Sequence, residues 1–124
     1  LEALFAEHNI DAAKALSGEA GPRAETLFQQ WLDTAAPAVA TAITSALSVI
    51  DFRSIVLDGG MHSVWRGKLG ERITVEMKSQ NLSGLIHPEI ATGSVGASAP
   101  AIGAALMPLR RRYSPNPDLV VRSV

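Results

Sequence analysis

The residues of this chain equipped to meet a ligand fall in three places. Gly59 and Gly60 end the aliphatic run Ser54-Ile-Val-Leu-Asp58, and a strand that stops at a glycine pair leaves backbone open to close approach. Gly93 to Ala105 carries three glycines and five alanines, a small-residue patch that opens a helix. Two such segments separated by one helix are the parts of a nucleotide- or sugar-binding cleft. Glu2 is the third, because a carboxylate accepts hydrogen bonds from vicinal hydroxyls at charge-assisted strength. Each place also has a plain structural reading: the glycine pair suits a tight turn needing φ > 0, and Glu2 suits a solvated charge.

Asp58 qualifies the first of these places. A carboxylate beside a nucleotide site repels the polyphosphate; alternatively, Asp58 caps the helix that begins near Ser63. Either role disfavours a working ATP site. His8, His62 and His87 have no ligand spacing between them, so no metal site is expected; His62 alone lies beside the glycine pair. The chain has no cysteine, which excludes disulfides and thiolate-ligated metal within it. Arg110, Arg111 and Arg112 invite a DNA reading, yet a basic run in the last turn of a helix suits the negative end of the macrodipole. With a net charge of −1 there is no electrostatic footprint for nucleic acid.

The elements that must position these residues emerge from periodicity. At 124 residues, 47% hydrophobic but 5% aromatic, the chain is one domain or one lobe, with alanine setting close helix approach. It starts at Leu1 without an initiator methionine, which predicts a C-terminal piece of a longer protein. Short helices are expected over Leu1–His8 and Asp11–Leu16, the second opened by Asn9 or Asp11 and stopped by Gly18. From Arg23 to Ile50, apolar residues recur at three- and four-residue steps, predicting one long helix interrupted or kinked at Pro37. Ala35 to Ile50 is too short and too interrupted to span a membrane. A strand is expected over Ser54–Asp58 and a helix over Val64–Leu82. Gly67 and Gly70 each weaken that helix by roughly 1 kcal/mol, and Gly84 ends it. A second strand is expected over Glu89–Thr92 and a helix from Ser98 or Pro100 to about Arg111. Ser114-Pro-Asn-Pro117 stops that helix, and Asp118–Val124 forms an extended tail.

Strand, helix, strand predicts an α/β fold with a parallel βαβ unit. Ile55–Leu57 and Ile90–Ala91 are its neighbouring buried strands, and the long helix packs on one face. Trp31 and Trp65 belong to the core or a subunit interface. Trp31, Leu32, Ala35, Val39 and Ile43 are expected to form an uncovered apolar surface through which the chain dimerises.

The same segments resemble the ROK family of repressors and sugar kinases, whose members share the actin-like ATPase fold. Ala46 to Gly60 resembles the family's long helix running into the strand with the glycine motif. Pro88 to Ala105 resembles its last strand, loop and Ala/Gly-rich helix. Leu1-Glu-Ala-Leu4 is similar to the residues directly after the final cysteine of the family's zinc motif. The resemblance implies that residues 1–124 are the C-terminal portion of a ROK domain, the C-terminal lobe of an actin-like ATPase, in a cytoplasmic protein. It implies that Gly59 and Gly60 lie against the adenosine of ATP with Ala101 and Gly103 beside them, and that Glu2 contacts sugar hydroxyls. The phosphate loop, catalytic aspartate and zinc ligands would lie upstream, so no catalytic residue, metal or cofactor is expected here; ATP and zinc come only with that part.

Family kinases usually carry a third glycine at the position of Asp58. That departure, with the Leu109-Arg-Arg-Arg-Tyr-Ser-Pro-Asn-Pro117 tail, is more similar to the sugar-responsive transcriptional regulators. In those, an upstream winged helix binds DNA, while this portion serves a sugar or sugar phosphate effector and self-association. The alternative is the C-terminal lobe of an ATP-dependent sugar kinase.

Overall fold

The computed structural model describes residues 1–19, 21–80 and 86–113. Two short helices, α1 (Glu2–Glu7) and α2 (Ala12–Ser17), lead into the long helix α3 (Pro22–Leu47). Strand β1 (Ser54–Leu57), helix α4 (Ser63–Ser79) and strand β2 (Glu89–Thr92) come next, and a 3-10 turn (Gly96–Ser98) opens helix α5 (Ala99–Tyr113). The expected Gly84 stop, the Ser114–Pro117 stop and the Asp118–Val124 tail lie outside the described residues.

Local chemistry accounts for most of these boundaries. Asp11 caps α2, accepting from the backbone amides of Ala13 and Lys14 at 3.0 and 3.3 Å, and Gly18 closes it in the left-handed region at φ +101. Asn9 is not a cap; it makes the bend between α1 and α2 at φ +56, a conformation asparagine tolerates better than most residues. Pro22 opens α3, where its missing N–H is no loss. Of the two outcomes expected at Pro37, interruption does not occur: α3 passes it without a break. The flanking packing of Ala36 and Ala40, both fully buried, holds the helix through the one missing bond.

The core lies between α3 and α4. Phe28 of α3 stacks on Trp65 of α4 with centroids 4.4 Å apart and planes 8° from parallel, and Phe5 anchors α1 against the same indole at 6.0 Å. Leu27, Leu32, Ala36 and Ala40 join Ile73 and Met77 to complete it. Alanine on α3 sets the close approach that composition indicated.

The strands pair in parallel, Ile55 opposite Ile90, and are the two strands of the sheet among the described residues. Helix α4 is their crossover and lies between them and α3, so the long helix packs chiefly on α4. Nor are the strands fully buried. Leu57 and Ile90 pack toward α4, where Gly70 lies so close that an added Cβ would sit 3.4 Å from both. The opposite face is open, with Val56 62% exposed. A parallel strand is enclosed on both sides only when helices cover both, and among the described residues one does.

The uncovered apolar surface is also not where periodicity puts it. Leu32 is in the core, while Trp31, Val39 and Ile43 pack against it half-buried. The bare apolar element is α5, whose Ile102, Leu106, Met107 and Leu109 are all exposed. No described helix is long and apolar enough to cross a membrane.

Candidate functional site

In open α/β sheets ligands bind beyond the carboxyl ends of the strands. Here that position is formed by the Asp58–Met61 turn after β1 and the Gly93–Ser98 loop after β2. Asp58 ties the two together. Its Oδ1 accepts the amides of Gly59 at 2.8 Å and Gly96 at 2.9 Å, and its Oδ2 accepts that of Val95 at 3.2 Å. Arg66, near the start of α4, donates Nη1–H to Asp58 Oδ1 at 2.9 Å and to the Gly59 carbonyl at 2.7 Å. A Cβ at Gly93 would fall on the Asp58 carboxyl group, so glycine there keeps the space clear for it. The amide of Gly59, then that of Gly96, hold the Asp58 carboxyl below the ordinary aspartate range; partial desolvation opposes them, and Val95 and the Arg66 charge add to the lowering.

Asp58 therefore does not cap α4. His62 does, its Nδ1 accepting the Val64 amide at 3.4 Å. The His62 ring also closes on Gly18, where an added Cβ would lie 2.6 Å from it; this histidine is engaged in structure. Of the glycine pair, Gly59 has the positive φ of a tight turn, +133, while Gly60 does not and has nothing within 4 Å of an added Cβ.

Gly60 and Met61 face Leu1, Glu2 and Ala3 of the α1 segment and Leu16 of α2 across an open cleft of about 380 Å³. Glu2 and Gly60, far apart in sequence, thus line one space, and Glu2 is its sole ionisable side chain among the described residues. Two other expected contributors are elsewhere. Ala101 and Gly103 stand on α5, where both residues are exposed and a Cβ on Gly103 would meet nothing. The small-residue helix does not pack beside the glycine pair, because α5 leaves the domain at the 3-10 turn.

A second polar cluster holds the frame. Glu25 of α3 accepts Trp65 Nε1–H at 2.7 Å and pairs with Lys68, both on α4. Its carboxyl is lowered by the Lys68 hydrogen bond first, with burial opposing and Trp65 and Gln29 assisting. Sequence reasoning misses both Arg66 and Glu25; their partners lie across a turn or on another helix, at separations with no periodic signature. Among the described residues no group of three His, Asp or Glu side chains gathers to hold a metal ion.

No protein-family model, curated protein or solved structure matches this chain.

Proposed function

We propose that this chain is the effector-binding and self-associating part of a sugar-responsive, ROK-type transcriptional regulator, the C-terminal lobe of an actin-like domain in a cytoplasmic protein. Its ligand is a sugar or sugar phosphate, and DNA is reached only through a winged helix outside this sequence. The observation that carries the preference over a kinase is Asp58. Its carboxylate consumes the amides of Gly59, Val95 and Gly96 at the strand ends, which under the ROK resemblance is the nucleotide side of the cleft. Nucleotide phosphates would meet a fixed negative charge in place of free donors. Glu2, the sole ionisable side chain lining the open cleft among the described residues, supports the sugar part of the reading.

Calorimetric titration of neutral hexoses, hexose phosphates and ATP tests it. A sugar should bind, and Glu2→Gln should weaken that binding about tenfold, the scale of one hydrogen bond to a charged group. ATP binding in the micromolar range would overturn the regulator reading in favour of the kinase.

A further inference from the structure

The group around Asp58 has the form of an anion receptor. Val95 has right-handed helical φ/ψ of −79° and −36°, and Gly96 is left-handed at φ +62. This alternation turns successive N–H groups toward one point and makes the backbone nests that bind phosphate and other anions. Both of those amides, with that of Gly59, point at one Asp58 carboxylate within 3.2 Å. A cation completes the set. Arg66 is 8% exposed, and its Nε–H is buried with no acceptor among the described residues, so the guanidinium has donor capacity that Asp58 does not use. A guanidinium so enclosed needs a counter-anion.

We propose that these donors form an oxyanion site that Asp58 holds shut. The chain's own carboxylate stands where a tetrahedral oxyanion of the phosphate class would bind, and it fixes the Gly93–Ser98 loop in the closed arrangement such a ligand would impose. Removing the Asp58 side chain clears a carboxyl group and its methylene, close to the bulk of a phosphate. The Asp58 side chain is 24% exposed, so the vacated space is reached from solvent. In the intact chain a tethered carboxylate competes at an effective concentration far above that of free phosphate, and the site stays closed. The sugar cleft is not involved, so a sugar titration on the intact chain succeeds or fails independently.

The test compares the intact chain, Asp58→Gly and Asp58→Gly/Arg66→Met, melted with inorganic phosphate against chloride at matched ionic strength. Phosphate at ten times its dissociation constant should raise the melting temperature of Asp58→Gly by about 5 °C. It should also move the Val95 and Gly96 amide resonances, and leave both other proteins unchanged. A folded Asp58→Gly with neither response overturns the inference, and so does an equal response from the intact chain. If Asp58→Gly does not fold alone, phosphate must restore its fold, and failure to do so is equally fatal.

Discussion

Replacing Trp65 by phenylalanine tests the claim that one indole organises the interior. Three separate contributions are lost. The Nε1–H bond to Glu25, 2.7 Å long, is made to a charged acceptor; because the Glu25 side chain is 37% exposed, it belongs at the low end for such bonds, about 1.5 kcal/mol. The second ring of the indole carries roughly 40 Å² of apolar surface that phenylalanine does not replace, about 1 kcal/mol at 25 cal/mol per Å². Trp65 is 4% exposed between Phe5 and Phe28, so neighbours fill the gap only in part, which adds about 0.5 kcal/mol. The sum is about 3 kcal/mol, a large fraction of what a domain of this size possesses. Urea unfolding followed by far-ultraviolet circular dichroism should show the midpoint falling by about 1.5–2 M. A fall below about 0.5 M, with the slope unchanged, would refute the reasoning. It would mean that the Phe28 stack closes over the smaller ring and that the Glu25 bond contributes nothing.

Two further outcomes rest on the same geometry. The Glu25 carboxyl titrates below its ordinary range in the folded chain, so its contribution to stability is present above the unfolded pKa of about 4.5 and is lost as pH falls through the lower folded value. Urea midpoints measured from pH 6 to pH 3 should therefore decline less steeply for Glu25→Gln than for the intact chain, and parallel curves would show the Lys68 pair to be without effect. On α5, Ile102, Leu106, Leu109 and Tyr113 recur on one helical face and all are exposed; light scattering at high micromolar concentration should give near twice the 13.1 kDa of one chain. Leu106→Lys should return the single-chain mass, and a monomeric intact chain would remove self-association from the functional reading.

The fold is legible where one residue type decides a local event. Asp11, Gly18 and Pro22 set helix ends by chemistry confined to neighbouring positions, and Glu89–Thr92 stands out as a strand because the run after Pro88 has no helical period. The parallel pairing comes from a single helical crossover. The features that escape the sequence depend on which neighbours exist. Periodicity ranks the faces of α3 by apolarity but does not say which face α4 takes, so Leu32 reads as outside when it lies in the core. The same limit applies to α5, which the ROK resemblance sets beside the glycine pair and which stands exposed. Pro37 misleads as a point of interruption for a related reason: a missing hydrogen bond is a local loss, and Ala36 and Ala40 on either side are held in a core that the sequence does not display.

The site divides in the same way, and the division explains why Asp58 is visible in the sequence without its role. Sequence alone marks a carboxylate between an aliphatic run and a glycine pair, and charge alone says that it repels phosphate. It does not say that the repulsion is secondary. Three amides and a buried guanidinium converge on that carboxylate, so the surroundings are attractive to anions and the aspartate is their occupant. An aspartate that merely coated a phosphate site with negative charge would leave those donors to water, and its removal would leave the loop where it was. One that fills the site transfers the loop's closure to itself, so Gly93–Ser98 should open when Asp58 is lost and close again when an oxyanion takes its place. Whether that loop follows the carboxylate separates a chain that has lost an anion site from one that has kept it and occupied it internally.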